Sequence, residues 1–408
     1  MRLLFSTRLA EPESGYAWMR LAVATLVGTV ACIGTWSVVV AIPVVEQEFG
    51  TARAGASFPY SCAMAGFAFG TLAMGRLADR WGVVAPVLLA AALLLIGYAG
   101  ASQARDIWQF ALLHVLVGLG GSAGFAPMMA DVSHWFTRRR GLAVVVAATG
   151  SYLAGAIWPQ LFQLAMAAWG WRNAHLAAGL VTAAVLVPLA FVFRVRPQAS
   201  VFASAEAATQ AARSDLGLSP RLLQTLLAAA GFCCCVAMSM PQVHIVAYCG
   251  DLGYGVARGA QMLAVMLGLG IVSRVASGAL ADRIGGVATL LIGSFMQAMA
   301  LFLYLFFDGL ASLFLISAIF GLFQGGIVPM YAVIVREFMP PREAGARIGV
   351  VITMTILGMS FGGWFSGWLF DQFGSYRVAF LNGLAWNFVN LALAAWLFAA
   401  GARRLRPA

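Results

Sequence analysis

Arg274 stands inside the apolar stretch 259–281, where no other residue carries a charge. A guanidinium near the middle of a bilayer costs several kcal/mol, about 2.5–3.5 on insertion scales, unless an anion or a water-filled cavity receives it. Asp282 follows eight residues later. A helix rises ~1.5 Å per residue, so Arg274 sits about 12 Å from that next charged loop. Half the hydrocarbon thickness is ~15 Å, so snorkelling to water would be incomplete. No Asp or Glu lies inside any other apolar run to neutralise it. The fork of a guanidinium matches a carboxylate through two parallel hydrogen bonds. A substrate carboxylate is therefore the expected partner, with backbone carbonyls or Asp131 as the structural alternative.

Further polar and aromatic residues fall at similar depth and are candidate substrate contacts. His244 follows Pro241 and Gln242, and its ring could hydrogen-bond a substrate, carry a proton or pack between helices. Gln324 and Tyr331 are seven residues apart and share a helical face, and Tyr152 and Gln160, eight apart, do so within ~80°. Trp36 and Ser122 complete the set. Each is a candidate for interhelix packing as well.

The elements that must position these residues follow from composition. The 408 residues are 62% hydrophobic and only 10% charged. A soluble domain carries about 25% charged residues, so this chain cannot clothe a water-facing surface. A span needs about 20 apolar residues, and twelve such runs are present. They place helices over 17–43, 55–76, 84–103, 107–132, 141–167 and 173–194, then 222–249, 259–281, 286–307, 310–335, 345–369 and 377–400. The fold class is an all-α membrane protein of twelve transmembrane helices. A β-barrel would need short alternating strands instead.

The net charge of +10 comes from arginine alone, because the chain has no Lys. Nineteen Arg residues fall on one set of connections and five on the other, a bias that puts both termini in the cytoplasm and reflects orientation rather than nucleic-acid binding. Cys233, Cys234 and Cys235 point about 100° apart on a helix and make no common metal face. No nucleophile or metal cluster sits at membrane depth, so neither an enzyme nor a cofactor is expected.

The polar stretch 195–221 reads as a cytoplasmic linker between two halves, 1–194 and 222–408. Gly75-Arg76-Leu77-Ala78-Asp79-Arg80-Trp81-Gly82 recurs as Gly278-Ala279-Leu280-Ala281-Asp282-Arg283-Ile284-Gly285, 203 positions later with six of eight residues identical. Arg172-Asn173-Ala174 is echoed by Arg377-Val378-Ala379. Such internal symmetry is how many secondary transporters are built.

The G-x-L-A-D-R-x-G loop, present twice, resembles the signature loop of the major facilitator superfamily, and the resemblance spans the chain. It implies two six-helix bundles rocking in alternating access, with Gly75, Asp79, Arg80, Gly82, Gly278, Asp282, Arg283 and Gly285 acting at the gate. Small glycines there would permit close backbone approach, and Asp79 and Asp282 could accept from helix N-termini or nearby Arg. Val83, Val84 and Val287 stand where the family carries basic residues. Trp135-Phe136-Thr137-Arg138-Arg139-Arg140-Gly141-Leu142-Ala143, Ile42-Pro43 with Glu48-Phe49-Gly50, and Glu13-Ser14-Gly15-Tyr16-Ala17-Trp18 are similar to stretches of the monocarboxylate and oxalate–formate branch. That similarity implies a carboxylate-binding role for Arg274. The branch's acid one turn earlier is replaced by Gly270, and its eleventh-helix Lys has no counterpart. The expected function is secondary transport of a small organic anion, a monocarboxylate first, by a monomer in the cell (inner or plasma) membrane, with protons or a counter-transported anion as co-substrate. The rival within the same fold is an exporter of drugs or small metabolites.

Overall fold

The computed structural model describes residues 13–136, 139–195, 218–339 and 341–404, and these contain helices, turns and connecting loops but no strand. The helices are α1 Gly15–Phe49, α2 Arg53–Trp81, α3 Val84–Ser102 and α4 Ile107–Ser133. A 53-residue stretch, Leu142–Arg194, follows. It breaks at Gly170 (φ 78°, ψ 159°) into α5 (142–169) and α6 (171–194). The second series is α7 Pro220–Asp251, α8 Val256–Ile284, α9 Gly286–Leu303, α10 Leu310–Phe338, α11 Pro341–Phe373 and α12 Tyr376–Arg404.

Among the described residues ten helical stretches are long and apolar enough to cross a membrane. Dividing the 53-residue stretch and adding the 29-residue α2, which is rich in Gly and Ala, gives the twelve expected. The helix starts are written locally. Ser14, Asp106 and Ser219 accept hydrogen bonds from Ala17, Gln109 and Leu222 at the first turns of α1, α4 and α7, satisfying N–H groups that have no helical partner. α1 runs on past Pro43 to Phe49: a proline inside a helix removes one hydrogen bond, and here the turns on either side keep theirs.

The repeat extends to the backbone. α2 and α8 are each 29 residues long, and their bounds differ by the same 203 positions as the duplicated loop. Both α4 and α10 are interrupted, and in each the first segment has 15 residues, Ile107–Gly121 and Leu310–Gln324, again 203 apart. In α4 a 3₁₀ turn at Ser122–Gly124 precedes Ala126–Ser133. In α10 Gly325 and Gly326 separate Gln324 from Ile327. Broken helices at matching positions of two repeats are the usual mark of a transporter binding site.

The chain divides into two compact units, Met1–Ala41 with Cys62–Ala207 and Ile42–Ser61 with Ala208–Ala408. The end of α1 and the start of α2 thus belong to the second unit. Most of the expected linker, 196–217, lies outside the described residues.

Candidate functional site

In the second unit α8 and α10 pack through glycine. A Cβ on Gly321 would collide with the Met266 carbonyl, and one on Gly325 with the Gly270 carbonyl. The Gly270 that replaces the branch's acid is therefore part of a close helix contact, its backbone lying against Gly325. The close approach lets α8 stitch the break in α10: the Gly326 N–H donates to Ser273 Oγ at 3.1 Å, and Arg274 Nε donates to the Gly325 carbonyl at 3.3 Å. Arg274 is buried, only 4% exposed. The carbonyl it meets belongs to a helix end, which carries partial negative charge.

Gln324 closes the first segment of α10 next to that carbonyl and accepts a 2.5 Å hydrogen bond from Gln242 Nε2 of α7. Both amides are fully buried. The amide oxygen of Gln242 and the amide nitrogen of Gln324 have no hydrogen-bond partner among the described residues. An unsatisfied buried polar atom costs about 1–3 kcal/mol, so a polar guest recovers energy here. The sequence reading had Arg274 and Gln324 but missed Gln242, although the residue stands two positions before the chosen His244.

The remaining candidates scatter. Tyr331 donates to Asn390 Oδ1 at 2.8 Å, Asn390 donates to Ser294 Oγ at 2.8 Å, and Asn387 to the Ser294 carbonyl at 2.8 Å. Tyr331 is thus built into a buried network joining α9, α10 and α12. His244 is occupied on both ring nitrogens: Nε2 meets the Gly363 carbonyl at 2.7 Å and Nδ1 meets Tyr376 Oη at 3.2 Å. With Nε2–H donating to the carbonyl, Nδ1 accepts from the tyrosine. In the first unit, Trp36 donates to the Ser151 carbonyl, beside the buried Tyr152. Ser122 lies in the α4 break and donates back to Leu119. Gln160 does not join Tyr152. It is exposed on one helical stripe with the exposed Ile157, Leu161 and Leu164, so their shared face is a matter of angle and not of depth.

The duplicated loops keep matching geometry. Gly82 (φ 82°) and Gly285 (φ 83°) end α2 and α8 in the left-handed region, and each N–H closes a 2.8 Å bond to Ala78 or Ala281. Side chains rarely tolerate that backbone, which explains the invariant final glycine of the two copies. Asp79, Arg80, Asp282 and Arg283 are exposed. The close approach expected at Gly75 and Gly278 is not made: a Cβ at either would meet nothing within 4 Å.

Two buried arginines went unrecognised. Arg20 forms a bidentate pair with Asp131, Nε and Nη2 each donating over 2.7 Å. It also donates to Tyr16 Oη and the Val195 carbonyl, both at 3.0 Å, and lies over the Trp135 and Phe193 rings. Asp131 is thus taken by Arg20. The same region unites two motif stretches: Glu13 N–H donates to the Trp135 carbonyl at 2.9 Å, Arg139 N–H donates to the Glu13 carboxylate at 3.0 Å, and Trp18 packs edge-on against Phe136. Arg53, the first residue of α2, is the other. Its guanidinium donates to both oxygens of Asp251 at 3.1 Å and to Tyr376 Oη, with Glu46 at 2.7 Å.

The profile of the Major Facilitator Superfamily matches residues 24–316 and 279–407. The chain belongs to the Major Facilitator Superfamily. Bovine monocarboxylate transporter 13 is 28% identical over 386 residues, covering 92% of this chain and 87% of the relative. The agnestins efflux protein AgnL12 of Paecilomyces divaricatus is 23% identical over 323 residues, covering 77% and 71%. The inward-open xylose transporter XylE of E. coli superimposes with a TM-score of 0.71 at 14% identity over 94% of this chain and 96% of that one, which shows the major facilitator fold. The protein is a multi-pass membrane transporter of this superfamily and not an enzyme.

Proposed function

We propose that the protein is a secondary transporter of a small organic anion, a monocarboxylate first, working by alternating access. The observation that carries this reading is the buried Arg274 at the break of α10, beside a Gln242–Gln324 amide pair with one acceptor and one donor still to be satisfied. Arg274 supplies charge to a carboxylate, and the two amides read the polar remainder of a short acid. The likeness to monocarboxylate transporter 13 supports the same substrate class. His244 and Tyr331 then hold helices together in this conformer. The protein works as a monomer in the cell membrane, and the arginine-rich connections, the Asp79 and Asp282 loops included, face the cytoplasm with both termini.

Uptake of labelled short-chain monocarboxylates into proteoliposomes tests it. Arg274→Ala and Arg274→Gln should abolish uptake while the proteins still assemble. Unchanged uptake by both would remove the anchor. A second reading, outward movement of an organic acid, is favoured by the likeness to an efflux protein. It predicts faster counterflow from the cytoplasmic face of oriented vesicles, with the same dependence on Arg274.

A further inference from the structure

Segments of five helices, all within the second unit, meet at Arg53. Glu46 comes from α1, Arg53 from α2, Asp251 and His244 from α7, Asp371 and Phe370 from α11, and Tyr376 from α12. Arg53 is buried. Its Cζ lies 4.7 Å over the Phe370 ring, and it donates to Asp251 through both terminal nitrogens and to Tyr376. Tyr376 passes its own proton toward His244 Nδ1, and the His244 Nε2–H is spent on Gly363. Asp371 caps α2, accepting from the Arg53 N–H at 2.8 Å and the Ala54 N–H at 2.7 Å. Tyr248 packs edge-on against Tyr376. These are the titratable and charged groups that face the cluster.

Their charges do not balance. The positive end of α2 offsets Asp371 in part. One guanidinium then faces two carboxylates, Glu46 and Asp251. Asp251 holds two hydrogen bonds from the guanidinium. Glu46 meets Arg53 Nε at 2.7 Å through a single oxygen. The Glu46 side chain is also the more sheltered, 22% exposed against 37% for Asp251. Burial weighs most against its charge, Arg53 opposes that, and the like charges of Asp251 and Asp371 add to it. A carboxylate with few donors, little water and like charges nearby is the place where an added proton settles.

We infer that the Glu46–Arg53–Asp251 cluster is the proton-binding site of the transport cycle, with Glu46 as the acceptor. The proton arrives from water and forms an O–H bond on Glu46. The Glu46–Arg53 ion pair is the only interaction lost, and the cluster becomes neutral apart from the capped Asp371. This supplies a coupling site well away from Arg274, where Gly270 leaves none. The inference rests on the anion-transport reading for its transport measurement only.

Two experiments test it on the full chain. Infrared difference spectra of the purified protein between neutral and acid pH should show a protonated-carboxyl band that Glu46→Gln removes and Asp251→Asn retains. A band unaffected by Glu46→Gln overturns the assignment whatever the substrate. In proteoliposomes, a one-unit acid-outside gradient should drive up to about tenfold accumulation of the monocarboxylate for one proton per anion. Glu46→Gln should keep substrate exchange without a gradient and lose that accumulation. Accumulation equal to wild type in Glu46→Gln, or no gradient response in wild type, overturns the inference and leaves the anion reading standing. Absence of exchange in wild type sinks the anion reading instead, and the infrared band still decides the proton site. Should Glu46→Gln fail to assemble, Glu46→Asp must keep both the band and the gradient response, and loss of either counts against Glu46.

Discussion

Arg20 in the first unit and Arg274 in the second are about equally sheltered, 2% and 4% exposed, yet their guanidinium groups keep different company. Arg20 is clasped by a carboxylate: Asp131 takes two of its donors, and Tyr16 and Val195 take others. Trp135 and Phe193 close over its faces. Arg274 instead meets the Gly325 carbonyl, exposed by a helix break, next to amides with donor and acceptor capacity to spare. A buried arginine with a built-in bidentate acid is a fastener. One placed at a broken helix is the proposed site.

That contrast can be broken, and the largest effect belongs to Arg274. Arg274→Ala should cut carboxylate transport by about 30-fold or more, the cost of about 2 kcal/mol or above for truncating one side of a buried charge pair. Its thermal unfolding in detergent should stay within a few degrees of wild type. Equal loss of stability and transport would make Arg274 another fastener.

Asp131→Ala should show the reverse pattern. Leaving Arg20 buried without its acid costs about 3–5 kcal/mol, seen as a fall in Tm and in the yield of folded protein. The double variant Arg20→Leu/Asp131→Leu should regain most of that stability and transport normally. A double variant that folds but does not transport would give the pair a role in the cycle.

Gly325→Ala drives a methyl into the Gly270 backbone, and overpacking of this kind costs about 1–3 kcal/mol. Gly118→Ala makes the matching clash with the Ala63 carbonyl in the first unit. The two should lower Tm alike, but only Gly325→Ala should also raise KM, because it displaces the carbonyl that orients Arg274. Gln242→Leu should raise KM by about 2- to 10-fold, the worth of about 0.5–1.5 kcal/mol for one hydrogen bond, with Tm unchanged or higher. At the bottom of the scale, Gly75→Ala and Gly278→Ala should leave the stability within about 1 kcal/mol of wild type, since the methyl enters open space. A transport defect in a stable Gly75→Ala protein would show that the loop closes in another conformer.

Much of this was legible along the chain. The spans follow from charge-free runs, because every backbone group in lipid must be satisfied within its own helix, and length alone then locates the elements. The repeat was legible in eight residues and holds through whole helices, α2 onto α8 and the first segments of α4 and α10. Arg274 and Gln324 were legible as polar residues at depth. Arg20 and Arg53 were not, because each sits at the edge of a run, where a charge is ordinary.

The sequence by itself determined the class of protein, its two-fold repetition and the depth of each polar residue, because these depend on composition and on the fixed rise of a helix. Only the tertiary structure decided which polar groups satisfy one another. Arg20 finds Asp131 across 111 residues, and Arg53 finds Asp251 across 198. His244 turns to Tyr376 and not to Arg274. Hydrogen bonds act over about 3 Å, and nothing in the order of residues states which distant helices will come that close.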